Sequence, residues 1–201
     1  MINNKVLETS TKIKQTLKNA GYEESVCDTI RNLFDYMISR DYCKGSCHAI
    51  SSVLFVALSE LNCKPKLIIG ECMNRNINFN HSWITLNDKV IDLAIYYPLI
   101  HNFLFKDGPI ILDIDLSTNN KHSIIYGYKS GKPWDIASQN RINENFSDYM
   151  SNCPWETGGL WTVLQKILPD TISIDIEQLK EKYKDTKRIV VRPANKSQGV
   201  K

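Results

Sequence analysis

The stretch that most constrains the fold runs from Cys47 to Leu61, where the residues are small or apolar on nearly every side. A helix that is apolar all round has to be buried, so this stretch predicts a core helix. Gly45 and Ser46 interrupt the pattern just before it, and serine is a favoured N-cap residue. The helix is therefore predicted to begin at Cys47, with neighbouring elements covering it.

Two helices are predicted before the core helix. Apolar residues recur at helical spacing from about residue 6 to 20 and again from residue 24 to about 40, with Gly21 as a stop between them. The first pattern is interrupted by Lys, Thr and Gln, so we expect a largely solvated helix. The second has a continuous apolar face, which we expect to pack on the core helix.

A buried strand and a β-hairpin are predicted after the core helix. Residues 66–70 form a short apolar run, residues 74–78 a polar loop, and residues 79–86 and 89–95 two strands joined at Asn87-Asp88. With a two-residue turn, Leu86 faces Lys89, and His81 lies on the same side of the sheet as Asp92. Such diagonal neighbours lie about 7–8 Å apart at the backbone, so their side chains can meet.

The remainder of the chain is predicted from weaker patterns. Strands are expected near residues 109–113, 123–128 and 187–192, and helices over 159–168 and 175–184. Residues 98–150 otherwise suggest extra strands and substrate-facing loops. We therefore predict one domain over residues 1–194, with N-terminal helices in 1–44, the catalytic core in 45–97, and additional strands, loops and helices in 98–194. The tail 195–201 is expected to be flexible.

Composition narrows the possible functions. The formal net charge is +3 and like charges form no long run, so a nucleic-acid partner is not expected. No apolar signal-peptide centre and no membrane-spanning stretch occurs, which predicts a cytoplasmic protein without a membrane partner. The six cysteines are expected to be free thiols rather than a disulfide framework. Nothing in the pattern indicates an oligomeric state.

Three residues of the predicted core follow the chain order of a Cys-His-Asp nucleophilic site. A thiol attacks as its thiolate, and the first turn of a helix, where Cys47 is placed, stabilises an anion. His81 would hold the proton as an imidazolium and return it to the leaving group, while Asp92 would fix the orientation of the ring. Cys47, His81 and Asp92 are therefore the predicted catalytic residues, and this chemistry requires no cofactor.

The same residues carry a resemblance to a known family. The pattern of Cys47, Ala49, Leu54, Leu58, Gly70, His81-Ser82-Trp83 and Asp92 resembles the core of transglutaminase-like proteins, within the papain-like cysteine protease superfamily. The resemblance implies an α+β fold in which a cysteine-bearing helix packs on an antiparallel β-sheet that carries histidine and aspartate. It also implies acyl chemistry through a thioester, either hydrolysis of a peptide or amide bond in a peptide or protein substrate, or transglutaminase, deamidase or acyltransferase activity.

The residues that would bind the oxyanion are less clearly marked. Members of the family often have a tryptophan or glutamine before the nucleophile for this purpose, but this chain has no tryptophan, and after residue 15 no glutamine, before Cys47. The backbone N–H of Cys47 is a natural first donor, with Tyr42, Ser46 or the indole of Trp83 as candidates for the second. His48 should point to a different helix face from Cys47, in a structural or substrate-facing role.

Two other interpretations stay open at this point. The first is a zinc site, although its candidate ligands lack the closely spaced pairs of the usual zinc motifs; these ligands are Cys43, Cys47, His48, Cys63, Cys72 and His81. The second is a catalytically silent binding module of the same fold, since a fold by itself does not establish chemistry.

Overall fold

The computed structural model describes residues 4–40, 45–96, 108–154 and 156–191. Within these ranges the fold is α+β, with seven α-helices and a curled, mainly antiparallel sheet of eight strands. The helices are α1 (Asn4–Asn19), α2 (Glu24–Ile38), α3 (Cys47–Glu60), α4 (Ile136–Asn143), α5 (Phe146–Asn152), α6 (Trp161–Ile167) and α7 (Ile176–Tyr183). The strands are β1 (Lys66–Asn74), β2 (Ile77–Leu86), β3 (Lys89–Asp92), β4 (Ile110–Ile111), β5 (Ile114–Asp115), β6 (Asn120–Lys121), β7 (Ile125–Tyr128) and β8 (Ile189–Val191).

The core helix α3 begins at Cys47, as predicted, and most of its residues are buried. α2 and α6 pack on it, and β1 and β2 lie against it as well. Ser46 occupies the N-cap position, but its side chain makes no capping hydrogen bond. The physical reason is the backbone at Ser46, whose φ of −83° and ψ of 20° differ from the extended conformation of a capping serine.

The β1–β2 hairpin is longer than the sequence suggests. The predicted polar loop over residues 74–78 is wrong, because β1 continues to Asn74 and β2 begins at Ile77. A two-residue turn of Arg75 and Asn76, with φ of 47° and 67°, joins the two strands. Positive φ at both central residues is the requirement of a tight hairpin turn, and the polar side chains around it hid the strand pattern.

The predicted register of the β2–β3 hairpin is confirmed at Leu86, which pairs with Lys89. β3 pairs with β2 only as far as Ile84 and then continues to Asp92 against Ile110 of β4. The strand predicted over 89–95 therefore ends early, and a short 3-10 helix (Ala94–Tyr96) follows it. β3 thus leaves β2 one residue before it ends.

The region after residue 108 differs most from expectation. The strands predicted near 109–113 and 123–128 are present as β4 and β7, but residues 136–152 form α4 and α5 instead of strands and loops. The side chains of Asp135 and Asn145 cap these helices by accepting the N–H groups of Ser138 and Asp148. Asp and Asn are common both at helix N-caps and in loops, so the sequence pattern here was interpreted as loops instead of helices. The predicted tail, 195–201, lies outside the described residues.

Two apolar clusters hold the layers together. The larger one joins α1–α3 and α5–α7 to the sheet, and the smaller one contains Ile68, Cys72, Trp83, Ile95, Ile110 and Ile124. Every cysteine that the structure describes is a free thiol, as expected. None of the described helices is long and apolar enough to cross a membrane.

The turn between α5 and α6 gives a test of the packing beneath α3. Gly159 and Gly131 have the same φ of 76°, but a Cβ on Gly159 would lie 2.5 Å from the Ser151 carbonyl oxygen, whereas one on Gly131 would meet nothing within 4 Å. Gly131→Ala should lower the free energy of unfolding by about 1–2 kcal/mol, the cost of a left-handed alanine. Gly159→Ala should lower it by about 1–3 kcal/mol more because the backbone must shift. Urea unfolding measures both, and equal losses would contradict the described turn.

Candidate active site

Three elements of the fold bring the predicted catalytic residues together. Cys47 is the first residue of α3, His81 lies in β2, and Asp92 is the last residue of β3. His81 Nε2 lies 2.6 Å from Asp92 Oδ2, so the contact that the hairpin register predicts is present. All three residues are buried, with exposed fractions of 9% for Cys47, 5% for His81 and 2% for Asp92.

The carboxylate of Asp92 is held from three directions. Oδ2 accepts hydrogen bonds from His81 Nε2 and, at 2.7 Å, from the hydroxyl of Tyr126, while Oδ1 accepts the backbone N–H of Ile95 at 3.2 Å. These donors compensate a buried charge that would otherwise be costly. Asp92 therefore has a fixed position from which it orients the imidazole of His81.

The imidazole of His81 lies between Asp92 and the thiol of Cys47. Burial disfavours the charged ring, but the charges of Asp92 and Cys47 and hydrogen bonds to both outweigh it and raise the pKa of His81 to about 10. Because Nε2 is bonded to Asp92, Nδ1 is the nitrogen left for the thiol. The ring is thus placed to exchange a proton with sulfur while aspartate stabilises its positive form.

Tyr126 is the residue of this site that sequence analysis did not identify. Its strand, β7, was predicted, but a strand pattern does not reveal its neighbours in the sheet. β7 pairs with β1, where Tyr126 lies opposite Cys72. The ring of Tyr126 packs on Trp83 with centroids 5.0 Å apart, and its hydroxyl reaches Asp92. It is a positioning residue, because it acts through the aspartate.

The candidate oxyanion residues lie in different places. Tyr42 is outside the described residues, and Ser46 is buried directly before Cys47. Trp83 packs on Tyr126, on the Asp92 side of the site. Its indole also lies close to the backbone of β1, because a Cβ on Gly70 would lie 3.0 Å from the Trp83 ring. The backbone N–H of Cys47, in the first turn of α3, has no acceptor within the helix. An oxyanion role for Tyr42, Ser46 or Trp83 remains a prediction.

His48 takes a structural position. Its Nδ1 lies 2.7 Å from Ser82 Oγ and its Nε2 lies 3.3 Å from Ser138 Oγ, so it joins α3 to β2 and α4. Burial, followed by the positive charges of Arg188 and His81, lowers the pKa of His48 to about 3. A ring that stays neutral in this way is suited to linking the two hydroxyl groups, and it points away from the Cys47 relay as expected.

Arg188 is a second buried group that the sequence pattern did not mark. Its side chain donates hydrogen bonds to Ser52 Oγ at 3.0 Å and to the Arg141 carbonyl at 2.9 Å, and it lies over the rings of Phe146 and Tyr149. Only 7% of the residue is exposed. In the described part of the chain no carboxylate forms a salt bridge with Arg188. Together with burial, its positive charge lowers the pKa of His48 in the first turn of α3.

Neither a cluster of metal ligands nor a known relative identifies the chemistry of the site. Residues 4–40, 45–96, 108–154 and 156–191 contain no group of three or more His, Cys, Asp or Glu side chains placed to hold a metal ion. No protein-family model, curated protein or solved structure matches the chain.

Removing the hydroxyl of Tyr126 tests the packing around Asp92. Tyr126→Phe should lower the free energy of unfolding by about 1.5–3 kcal/mol, because a buried carboxylate loses a hydrogen-bond donor. Tyr128→Phe is the matched control on the same strand, since no hydrogen bond from the Tyr128 hydroxyl to a described residue occurs. Chemical denaturation compares the two variants, and a loss confined to Tyr128→Phe would contradict the geometry.

The depressed pKa of His48 predicts a loss of stability in acid. The unfolded chain binds a proton on His48 near pH 6.5 and the folded chain only near pH 3, so stability is present above pH 6.5 and lost as the pH falls. Between pH 6.5 and 5 the free energy of unfolding of the natural protein should fall by about 1.5–2 kcal/mol more than that of His48→Gln. Urea titrations at both pH values measure this, and parallel curves would refute it.

Proposed function

We propose that this chain catalyses thiol-dependent acyl chemistry, the hydrolysis of a peptide or amide bond, with Cys47 as nucleophile, His81 as acid and base, and Asp92 as the residue that orients His81. One observation carries the proposal: a buried imidazole that contacts a carboxylate on one side and, on the other, a thiol at the start of a helix. Each of the three residue types matches the role that the chemistry needs.

We further propose that the fold is of the transglutaminase-like type within the papain-like superfamily. Three features support this: the cysteine opens a buried helix, the histidine and aspartate follow on neighbouring strands of a mainly antiparallel sheet, and the chain order is Cys, His, Asp. The helices α1 and α2, which the apolar periodicity of the first forty residues predicts, precede this unit.

Acylation begins from the state in which the Cys47 proton has moved to His81, so that Cys47 is a thiolate and His81 an imidazolium. The thiolate attacks the carbonyl carbon of the substrate, and the carbonyl electrons move to oxygen in a tetrahedral intermediate. The intermediate collapses when the carbon–nitrogen bond breaks and the imidazolium of His81 gives its proton to the leaving amine. The products of this half-reaction are a free amine and a thioester on Cys47, with His81 neutral.

Deacylation uses the same histidine as a base. Water attacks the thioester carbonyl while His81 takes one proton from it, and the carbon–sulfur bond breaks as the carboxylic acid leaves. The thiolate and the imidazolium of His81 are then restored. Asp92 stabilises the imidazolium at both stages, because its Oδ2 accepts the Nε2 hydrogen.

Oxyanion stabilisation is assigned to the start of α3. The N–H of Cys47 belongs to the first turn, whose N–H groups have no acceptor within the helix, and the positive end of the helix dipole lies at the same place. These groups favour both the thiolate and the developing oxyanion. Ser46, Tyr42 and Trp83 are the candidates for the second donor.

Selective alkylation of Cys47 tests the proposed nucleophile. Cys63 is more exposed than Cys47, and burial raises the pKa of the Cys63 thiol, so it serves as an internal reference. Iodoacetamide at pH 7 should label Cys47 faster than Cys63, although Cys63 is easier to reach. Peptide mass spectrometry after timed quenching gives both rates. Comparable labelling of several cysteines would instead favour a silent binding module.

Replacing His81 tests whether this histidine activates the Cys47 thiol or whether the thiol is only accessible to the reagent. In His81→Gln the labelling of Cys47 at pH 6–7 should slow on the order of ten-fold or more, because an unassisted thiol is only a few per cent ionised there. The rates should converge near pH 9, where a thiol ionises without help from a histidine. His122→Gln is the histidine control and should keep the natural profile, because the His122 ring meets Tyr126 edge to face with centroids 5.2 Å apart and has no bond to Cys47 or Asp92. An unchanged profile in His81→Gln would rule out the proposed pair.

A further inference from the structure

Arg188 is a buried positive charge that no described carboxylate neutralises. Its side chain donates only to uncharged acceptors, the Ser52 hydroxyl and the Arg141 carbonyl, and its buried Nε has no acceptor among the described residues. A buried charge is costly unless an opposite charge compensates it, and a neutral side chain of similar volume often fills the same space at lower cost. Packing by itself therefore does not account for an arginine at this position.

Two aromatic rings of α5 hold the guanidinium without cancelling its charge. The guanidinium carbon lies 5.5 Å from the ring centre of Phe146 and 4.9 Å from that of Tyr149. The face of an aromatic ring attracts a cation but carries no net charge. Burial raises the pKa of the Tyr149 hydroxyl, so this group is also uncharged at neutral pH. The charge of Arg188 thus remains uncompensated on the α5 side.

The charged side chains at the end of α4 largely cancel each other. Arg141 forms a salt bridge with Glu144, and both side chains are partly exposed to solvent. Burial lowers the pKa of Arg188, Arg141 lowers it further, and Glu144 raises it. A guanidinium stays protonated under such influences because its pKa begins so high. Arg188 therefore keeps its positive charge at every pH at which the protein is folded.

A chain of hydrogen bonds connects this charge to the first turn of α3. Ser52 Oγ accepts a hydrogen bond from Arg188 at 3.0 Å and donates one to the His48 carbonyl at 2.7 Å. His48 directly follows Cys47, and at 1.5 Å per residue Ser52 lies about 7.5 Å along the helix axis from Cys47. At roughly this separation inside a protein, one charge changes the ionisation equilibrium of another on the order of ten-fold.

The charges of Cys47 and Arg188 act on each other. Burial lowers the pKa of Arg188, and the negative charge of Cys47 opposes that effect. Because this interaction is mutual, the guanidinium favours the thiolate form of Cys47. Cys72 of β1 and His81 of β2 also face Cys47, and burial keeps the Cys72 thiol neutral by raising its pKa. Burial and the charge of Arg188 lower the pKa of His48, so that ring adds no charge at neutral pH.

We propose that Arg188 supplies a buried positive charge that stabilises the thiolate of Cys47 and the oxyanion that forms beside it. This inference rests on the proposed function and adds a residue to it from the far end of the chain. Arg188 lies in the core and acts through Cys47 without touching the substrate, so it is a positioning residue. The thiolate in turn provides the negative charge that Arg188 otherwise lacks.

Removing the charge of Arg188 tests the proposal. In Arg188→Gln the iodoacetamide labelling of Cys47 at pH 6–7 should slow about five- to ten-fold and approach the natural rate near pH 9, because the thiol ionises at higher pH without the nearby cation. Arg188→Lys keeps the charge but changes the shape, so it should retain most of the natural rate. A purely structural role would slow both variants alike, and urea unfolding measures the structural cost of each.

Arg141→Gln is the matched control for the loss of an arginine in this region. The Arg141 guanidinium also covers the Tyr149 ring, at 4.4 Å, but Glu144 pairs with it. The backbone carbonyl that Arg188 contacts is unchanged in this variant. The pH profile of Cys47 labelling should therefore stay within about two-fold of the natural profile, since the charge removed is one that was already paired and partly solvated.

A second pair of variants tests whether a charge at this position reaches Cys47 while Arg188 stays in place. Ser52→Asp puts a carboxylate against the guanidinium and cancels its charge, whereas Ser52→Asn is of similar size and uncharged. Cys47 should be labelled several-fold more slowly at pH 6–7 in Ser52→Asp than in Ser52→Asn. Equal rates in the two variants would overturn the inference, and this comparison decides it if Arg188→Gln does not fold.

The outcomes separate this inference from the proposed function. If Cys47 of the natural protein does not react selectively with iodoacetamide, the proposed function fails. If Cys47 does react selectively, but Arg188→Gln keeps the natural pH profile or Arg188→Lys slows as much as Arg188→Gln, only the role of Arg188 is overturned. A profile that moves to higher pH in Arg188→Gln and returns in Arg188→Lys supports the inference.

Discussion

The site depends on one buried interaction, the imidazole of His81 between the carboxylate of Asp92 and the thiol of Cys47. Burial alone would lower the pKa of His81. The protonated ring is stable only because Asp92 and Cys47 lie beside it. Cys47, His81 and Asp92 lie on three separate elements, so their side chains meet only when the strands pair in the correct register. A one-residue slip of β3 would place Asp92 on the other face of the sheet and leave the ring without its carboxylate.

Two histidines close to the start of α3 show how local surroundings set opposite charge states. His81 lies between Asp92 and Cys47 and has a pKa of about 10, while His48 is held between hydroxyl groups near Arg188 and has a pKa of about 3. At neutral pH one ring therefore holds a proton and the other does not. This separation makes His81 the charged ring and keeps His48 as a neutral link between α3, β2 and α4.

The divergence of β3 from β2 has two consequences. After Ile91, β3 turns to β4, and its last residue supplies the carboxylate that meets His81. The same departure leaves β1 as the one described strand that pairs with β2 before Ile84.

The sequence by itself determined the local features of the site. An all-round apolar pattern placed Cys47 at the start of a buried helix, and the two-residue turn at Asn87-Asp88 set His81 and Asp92 on one side of the sheet. These features follow from short-range periodicity and turn chemistry, which a single chain displays directly. Only the tertiary structure decided that Tyr126 reaches Asp92, that Arg188 bonds Ser52 of α3, and that β3 departs from β2 after Ile91. These depend on contacts between segments far apart in the chain, about which local pattern carries no information.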